Sequence, residues 1–229
     1  MKQIIVAIDG FSSCGKSTMA KQLAHEVGYI YVDTGAMYRA VSLFCYRNGW
    51  MNDESMDIYS IEKNIENIQL EFRINKNGTA EIFLNGENVE KEIRTLEISN
   101  GASRVSTIGA VRKELVRQQQ KMGINKGIVM DGRDIGTVVF PKAELKIFLT
   151  ATPEIRAQRR MDELLAKGEK VIYKDVLANV KERDERDQNR KESPLLQAED
   201  AVVIDNSELT IEQQQILLRK LFDQRIGIA

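Results

Sequence analysis

The chain contains 229 residues, of which 42% are hydrophobic and 29% are charged, and its formal net charge at pH 7 is -1. This balanced charge, with only 6% aromatic residues, argues against a nucleic-acid-binding module. No segment approaches the roughly 20 consecutive apolar residues that a membrane-spanning helix needs. The chain has two cysteines, Cys14 and Cys45, and no apolar signal region at its start, so we expect a cytoplasmic monomer without membrane or nucleic-acid partners.

Five short apolar runs without alternation predict strands that are buried on both faces. They span residues 4–8, 29–32, 127–130, 145–149 and 201–204. Helical patterns lie between them, and this succession is typical of an α/β fold around a parallel sheet. We therefore expect one domain over residues 1–229 with at least five central strands.

An insert interrupts this rhythm after the second predicted strand. Residues 68–89 alternate apolar and polar side chains around the turn pairs Asn77-Gly78 and Asn85-Gly86, which predicts antiparallel hairpins instead of a parallel crossover. We place the insert at residues 57–97. A helix is predicted next, over residues 103–122, and most of its basic residues are typical of a solvated helix face.

The segment between the first strand and the first helix reads GFSSCGKST and matches the phosphate-loop pattern G-x-x-x-x-G-K-[ST]. Glycines let the backbone wrap closely around an anion, and successive amides and the helix N-terminus present positive ends to it. Lys16 adds a full charge, and Ser17 can ligate Mg²⁺. The predicted phosphate-binding residues are Gly10, Phe11, Ser12, Ser13, Cys14, Gly15, Lys16, Ser17 and Thr18.

Two further polar segments follow predicted strands: DTGAMYR begins at Asp33, and MDGRDIGTVVFP begins at Met130. In open parallel sheets, ligands bind at the carboxyl ends of the strands. We therefore expect the polar side chains of both segments near the phosphate loop: Thr34, Tyr38, Arg39, Asp131, Arg133 and Asp134. The alternatives are that Asp33 or Thr34 only caps the next helix, and that the second segment is a solvated charged turn.

The charged residues after the fourth predicted strand form two helical segments, at residues 153–167 and 174–192, with a turn at Gly168. In the first helix, three arginines follow one another at helical spacing: Arg156, Arg159 and Arg160. Side chains at positions i, i+3 and i+4 share one helix surface. The spacing therefore predicts that the three guanidinium groups can reach one anion together.

The second of these helices contains KERDERDQNR at residues 181–190. An apolar stripe begins at Val176 and Val180, and its continuation at helical spacing predicts that Arg183, Asp187 and Arg190 face inward. The residues expected to extend toward solvent are Lys181, Asp184, Glu185 and Gln188. The alternative is a solvated helix face without a site.

Seven motifs, in this order, resemble those of the bacterial cytidylate kinases, which belong to the nucleoside monophosphate kinases. They are IDGFSSCGKST, DTGAMYR, EIRTLEIS, DGRDIGTVVFP, KIFLTA, RAQRR and KERDERDQNR. The resemblance implies a three-layer P-loop kinase fold with a five-stranded parallel sheet, a small antiparallel β insert for the acceptor nucleotide at residues 57–97, and a short helical lid at residues 153–192. It also implies phosphoryl transfer from ATP, with Mg²⁺, to CMP or dCMP in pyrimidine nucleotide metabolism.

The same resemblance implies roles for the matching residues. Residues 10–18 hold the ATP phosphates, with Ser17 or Thr18 as the Mg²⁺ ligand. The catalytic residues are Lys16, Arg133 and the lid arginines Arg156, Arg159 and Arg160. The acceptor residues are Thr34, Tyr38, Arg39, Arg133 and Arg190 for the phosphate and its surroundings, Arg183 and Asp187 for the ribose, and Ser103, Arg112 and Asp134 for the cytosine.

Two other functions fit part of these patterns. A P-loop kinase for another acceptor, such as UMP, AMP or an alcohol, would need a general base if the acceptor were an alcohol, and Asp33 is the motif residue for that role. A P-loop switch would predict slow hydrolysis and a partner surface. The switch does not explain a second set of anion-binding residues, namely Arg39, Arg133, Arg183 and Arg190.

Overall fold

The computed structural model describes residues 3–76 and 80–227 of the chain. The contacts group the chain into two compact units. One unit consists of the chain up to Tyr31 together with the chain from Lys126 onward, and the other is Val32–Asn125. The single domain, the acceptor-nucleotide-binding insert and the lid remain predictions.

The central sheet has five strands, and the strand that leads into the phosphate-loop segment lies in its middle. The strands of the described residues are β1 (Ile5–Gly10), β2 (Ile30–Asp33), β3 (Leu70–Ile74), β4 (Ala80–Leu84), β5 (Glu87–Asn88), β6 (Ile128–Gly132), β7 (Leu145–Thr150) and β8 (Val202–Asp205). The five-stranded sheet has the order β2-β6-β1-β7-β8, and the pairs β1–β6, β1–β7 and β7–β8 are parallel. The predicted α/β fold with a five-stranded parallel sheet is confirmed.

Most of the helices begin at a capping side chain. The helices of the described residues are α1 (Lys16–Val27), α2 (Thr34–Arg47), α3 (Ile58–Asn64), α4 (Leu96–Val105), α5 (Gly109–Met122), α6 (Pro153–Ala166), α7 (Tyr173–Asn189) and α8 (Ile211–Ile226). Asp33, Thr95 and Thr152 cap α2, α4 and α6 by accepting from a first-turn amide, which has no partner inside the helix. None of the helices in residues 3–76 and 80–227 has the length and apolar composition for a membrane crossing.

The core of the first unit lies between the central sheet and the helices α1 and α8. Val6 of β1, Ile147 of β7 and Leu23 of α1 pack in one cluster with Leu218 and Phe222 of α8. Burial of a large apolar side chain contributes about 1.5–3 kcal/mol. This core therefore fixes the ends of the strands, from which the polar loops emerge.

The second unit contains the antiparallel insert. Its strands have the order β3-β4-β5, and both pairs are antiparallel, as predicted. The turn at Asn85 and Gly86 has φ angles of 49° and 86°, which suit a two-residue hairpin turn. The predicted turn at Asn77-Gly78 lies outside the described residues.

The predicted helix at residues 103–122 is wrong at its beginning. α4 and α5 are separate helices, so Ser103 lies in the last turn of α4 and Arg112 near the start of α5. In the connection, the hydroxyl of Ser106 donates to the carbonyl oxygen of Ser103 at 2.8 Å. Local bonds of this kind compete with continuation of a helix, and the pattern of basic residues gave no sign of the break.

Candidate functional site

The phosphate loop connects β1 to α1 through backbone conformations that favour glycine. Gly10 has a φ of 145°, and a Cβ atom there would lie 2.0 Å from the carbonyl oxygen of Leu149. Gly15 has a φ of 89° and precedes α1 without a side-chain cap. The first-turn amides and the positive end of the helix dipole can therefore face an anion.

Lys16 is the buried cation of this loop. Its side chain is 5% exposed, and Nζ donates to the carbonyl oxygen of Phe11 at 2.5 Å. Burial, and then the positive charge of Arg133, lowers the pKa of Lys16 to about 8. A phosphate group would stabilise both cations, because an opposite charge favours their charged forms.

A buried carboxylate lies beside the start of α1. Asp131 of β6 is 4% exposed and accepts hydrogen bonds from Ser17 Oγ and from the Tyr31 hydroxyl, each at 2.9 Å. The sequence pattern indicated Asp131 at this edge of the sheet, but it gave no sign of Tyr31. The hydroxyl and the carboxylate are oxygen donors of the kind that Mg²⁺ prefers.

Four predicted site residues form a connected series of ion pairs at the end of α7. Arg133 Nε donates to Asp187 Oδ2 at 2.7 Å, and Arg190 Nη1 lies 3.5 Å from Asp187 Oδ1. Arg190 Nη2 lies 3.9 Å from Asp134 Oδ1. Burial raises the pKa of Asp187, but Arg133, Arg190 and Arg183 together hold it below its usual range. The charged donors and acceptors of this ion-pair cluster are of the kind that can bind a polar ligand.

The predicted inward position is confirmed for two of the three charged residues, and of these two only Asp187 lies on α7. Asp187 and Arg190 are 7% and 9% exposed, whereas Arg183 is half-buried. Arg190 directly follows the helix and has extended backbone angles. Its inward position therefore does not result from helical spacing.

The structure contradicts the position that the sequence predicts for Asp184. Its side chain is 13% exposed and accepts from Arg156 Nη1 at 2.8 Å and from Nη2 at 2.5 Å, so the predicted position toward solvent is wrong. Asp184 follows Val180 by four residues, and this spacing also keeps a side chain on the buried helix face. Arg156 donates in addition to the carbonyl oxygens of Ala151 and of Ser12 in the phosphate loop. Arg156 thus connects α6 and α7 to that loop.

The other two arginines of α6 have different partners. Arg159 donates to Asn206 Oδ1 at 3.0 Å and to the Asn206 carbonyl oxygen at 2.9 Å, while Arg160 forms an ion pair with Glu163 at 2.9 Å. Asn206 also donates to the carbonyl oxygen of Cys14 at 2.7 Å. The sequence reasoning missed Asn206, although it follows β8 at the edge of the sheet where ligands bind.

In the Val32–Asn125 unit, Asp33 caps α2 and holds two arginines. Its carboxylate accepts from the Ala36 amide at 2.8 Å, from Arg39 at 2.9 Å and from Arg94 at 3.2 Å. Burial raises the pKa of Asp33, but Arg39 and Arg94 lower it below its usual value. Asp33 therefore does cap its helix, as one alternative predicted, and it also orients Arg39. The sequence did not predict Arg94 as a site residue, because no role was assigned to its motif, EIRTLEIS.

Tyr38 and Arg112 meet in the same unit. The Arg112 guanidinium lies 5.6 Å from the centre of the Tyr38 ring and is 3% exposed, and it donates to the carbonyl oxygen of Ser106 at 3.2 Å. Thr34 and Ser103 are also buried. Three predicted acceptor residues of this unit, Thr34, Ser103 and Arg112, are therefore buried, whereas Tyr38 and Arg39 are half-buried.

The sequence is similar to cytidylate kinases along nearly its whole length. The model of the cytidylate kinase family matches residues 6–221. A cytidylate kinase from Parabacteroides distasonis is 56% identical over 228 residues, which are 99% of this chain and 100% of that protein.

Another cytidylate kinase, from Flavobacterium johnsoniae, is 57% identical over 229 residues and covers 100% of both chains. Among solved structures, an uncharacterized protein from Eubacterium ventriosum has a TM-score of 0.50 at 12% identity, over 97% of this chain and 99% of that chain, which supports the fold alone. The family match and the two relatives, each over more than nine-tenths of the chain, show that the chain belongs to the cytidylate kinase family.

Proposed function

We propose that the protein transfers a phosphoryl group from ATP to CMP or dCMP, giving ADP and CDP or dCDP. Membership of the cytidylate kinase family supports this activity. The observation that carries it is the presence of two polar systems in one unit: the phosphate loop with Lys16, and the ion-pair cluster of Arg133, Asp187 and Arg190. The first suits a donor triphosphate, and the second suits the phosphate and sugar of an acceptor.

The acceptor nucleophile is a phosphate oxygen that is already anionic at neutral pH. No side chain has to remove a proton from it, so catalysis rests on in-line positioning and on neutralising charge on the transferring phosphoryl oxygens. We assign the donor phosphates to residues 10–18 and the transferring group to Lys16 and Arg133. The positive charge of Arg133 lowers the pKa of Lys16, which supports a role for both cations at one anionic group.

Magnesium fits the oxygen donors at the start of α1. We assign its protein ligand to Ser17 instead of Thr18, because Ser17 Oγ bonds to the Asp131 carboxylate. Bound with ATP, the ion would neutralise charge on the phosphate oxygens. Mg²⁺ usually combines a few protein oxygens with substrate phosphates and water, so phosphate oxygens of ATP and water would complete its coordination.

We assign acceptor roles to side chains of each unit by itself. In the first unit these are Arg133 and Arg190 for the phosphate, Arg183 and Asp187 for the ribose, and Asp134 for the cytosine. In the second unit they are Thr34, Tyr38 and Arg39 for the phosphate and its surroundings, and Ser103 and Arg112 for the cytosine. Ion pairs such as Arg39 with Asp33 hold several of these side chains in place, and preorganisation of this kind lowers the cost of binding.

Hydrogen bonding explains a preference for cytosine over uracil. Cytosine has an amino donor at N4 and acceptors at N3 and O2, so Asp134 can accept while Arg112 and Ser103 donate. Uracil has an oxygen in place of the amino group and a donor at N3. Each polar group that is left unpaired costs about 1 to 3 kcal/mol.

The arginines of α6 differ in their suitability for the transferring phosphoryl group. Arg156 is 2% exposed and donates to Asp184 and to two carbonyl oxygens. Arg159 and Arg160 have fewer partners. We therefore assign the phosphoryl contact to Arg159 or Arg160, and a supporting role to Arg156.

An alcohol acceptor is disfavoured by the environment of Asp33. A general base needs a pKa near the working pH, whereas Arg39 and Arg94 hold the pKa of Asp33 below its usual value. The structure of this unit therefore supports an acceptor that needs no base.

The test is ADP release with ATP and each of CMP, dCMP, UMP, AMP, GMP and a sugar alcohol as acceptor. We expect turnover with CMP and dCMP, much weaker turnover with UMP, and only slow ADP release without an acceptor. Equal turnover with AMP, or turnover with the alcohol alone, would contradict the proposal.

A further inference from the structure

Asp9 is a buried carboxylate to which the phosphoryl-transfer proposal gives no role. It lies in the central strand β1, where it pairs in register with Gly132 of β6 and Phe148 of β7, and it is 4% exposed. Its oxygens accept from two successive amides, Oδ1 from Ile135 and Oδ2 from Gly136, each at 2.7 Å. Burial raises the pKa of Asp9 to about 6, against these two hydrogen bonds. Both oxygens accept from backbone amides, an arrangement that suits the carboxylate without its proton.

The two amides begin a π-helical turn, Ile135–Val139, which Asp134 precedes. The Asp134 carbonyl oxygen accepts from the amides of Val138 and Val139 at 2.9 and 3.1 Å, but its side chain makes no capping bond to the turn. Aspartate is preferred at such a position because its carboxylate normally accepts from the amides that follow. In this protein Asp9, from another element of the fold, supplies that cap.

We propose that Asp9 is a positioning residue for acceptor specificity. By capping the turn in place of Asp134, it directs the Asp134 carboxylate away from its own turn and toward Arg190, 3.9 Å away. The inference rests on the proposed contact of Asp134 with cytosine. It adds a residue that acts on the acceptor base through the backbone of Ile135 and Gly136.

Replacement of one Asp9 oxygen by an NH₂ group removes one of the two acceptors that cap the turn. In Asp9→Asn, the carboxamide keeps one acceptor, but its NH₂ group faces the second amide, so one N–H of the turn loses its partner. Where this amide is that of Gly136, the second residue of the turn, the Asp134 carboxylate at the N-cap position can accept from it. If it turns toward the amide, it leaves the position from which it reads the base.

The test compares kcat/KM for CMP with kcat/KM for UMP and measures the KM for ATP in parallel. For Asp9→Asn we expect the CMP/UMP ratio to fall about tenfold, the loss of one specific polar contact, with the KM for ATP within about threefold of wild type. A purely structural defect would lower turnover of both acceptors and leave the ratio unchanged. An unchanged ratio in the folded variant overturns the inference. If Asp9→Asn does not fold, Asp9→Glu, which keeps the charge but displaces the carboxylate, carries the same expectation.

Asp205→Asn is the matched control. Asp205 is the last residue of β8 in the same sheet and accepts from the Ser207 amide at 2.9 Å. Its CMP/UMP ratio should equal that of the wild type. A ratio that falls as far as in Asp9→Asn would show that loss of another carboxylate of the same sheet has this effect, and would overturn the specific role.

Asp134→Asn separates this inference from the function on which it rests. If Asp134→Asn lowers the ratio and Asp9→Asn does not, only the positioning role is wrong. If Asp134→Asn leaves the ratio unchanged, the cytosine contact is wrong and the positioning role fails with it. If the wild type does not phosphorylate CMP, the proposed function itself is wrong. If both single variants lower the CMP/UMP ratio, the double variant should have the same ratio as Asp134→Asn alone, because the Asp134 carboxylate that Asp9 positions is already replaced. A further, additive fall of the ratio in the double variant contradicts the inference.

Discussion

Two carboxylates on α7, Asp184 and Asp187, lie three residues apart and both bind an arginine, but the two ion pairs have different surroundings. The Arg156 side chain, which binds Asp184, is 2% exposed. The Arg133 side chain, which binds Asp187, is 21% exposed. Arg156 also donates to a carbonyl oxygen of the phosphate loop, whereas Asp187 has a second arginine, Arg190, within 3.5 Å.

We therefore expect the same residue types to serve the fold in one place and the proposed acceptor site in the other. The two carboxylates are similarly shielded, at 13% exposure for Asp184 and 10% for Asp187, so the difference lies in the arginines. Removal of the buried Arg156 leaves the charge of its partner uncompensated. A pair that borders solvent can rehydrate, and its groups can exchange one partner for a ligand.

The largest expected effect is on stability, in Arg156→Ala. Removal of the guanidinium leaves Asp184 and two carbonyl oxygens without their buried donor, which should cost about 3 to 5 kcal/mol. Urea unfolding of the ligand-free protein measures this loss. The double variant Arg156→Met with Asp184→Leu should recover much of it, since apolar replacement of a whole buried pair is often close to neutral. A loss in Arg156→Ala below that of Arg133→Ala would contradict the distinction.

Asp187→Ala should act on the acceptor. Loss of a charged hydrogen-bond acceptor costs about 1.5 to 3 kcal/mol, so the KM for CMP should rise about 10- to 100-fold while the KM for ATP changes little. Steady-state kinetics with each substrate varied in turn measure both constants. A rise of the KM for ATP by the same factor would show that the ion-pair cluster does not separate acceptor from donor.

The pH dependence of stability should distinguish Asp187 from an ordinary surface carboxylate. Its pKa is lower in the folded protein than the usual 3.8, so its contribution to stability is present above about pH 4 and is lost as the pH falls through the lower folded pKa. The stability difference between wild type and Asp187→Asn should therefore be constant from pH 8 to pH 5 and shrink only below about pH 4. Urea unfolding of both proteins at pH 8, 5 and 3.5 checks this, and a difference that already shrinks between pH 8 and 5 would refute it.

The smallest effect is expected for Glu185→Ala, on the same helix between the two carboxylates. Glu185 is exposed, and surface substitutions of this kind usually stay within about 0.5 kcal/mol. The KM for CMP and the unfolding midpoint should both match the wild type. A clear change in either would mean that the exposed face of α7 takes part in binding or folding.

The sequence predicted the elements whose signals are local. The five central strands and the phosphate loop follow from apolar runs and from a glycine pattern, and both depend on backbone geometry within a few residues. The partners of the charged side chains depend on contacts across long sequence separations. Asp184 with Arg156 is such a case: helical spacing allowed two faces for Asp184, and only a partner 28 residues away decided between them. Asp9 is a second case, since the Ile135 amide that it caps lies 126 residues away in the sequence.

The most direct test of the account is the affinity for CMP, measured by calorimetry without ATP, in wild type, Asp187→Ala and Asp184→Asn. If Asp187 belongs to the acceptor site and Asp184 to the support of the phosphate loop, the Kd for CMP should rise about tenfold or more in Asp187→Ala, a loss of about 1.4 kcal/mol. In Asp184→Asn the Kd should stay within about threefold of the wild-type value, below 0.7 kcal/mol or roughly half that loss. Equal losses of CMP affinity in the two variants would contradict the division of α7 into a supporting and a binding carboxylate.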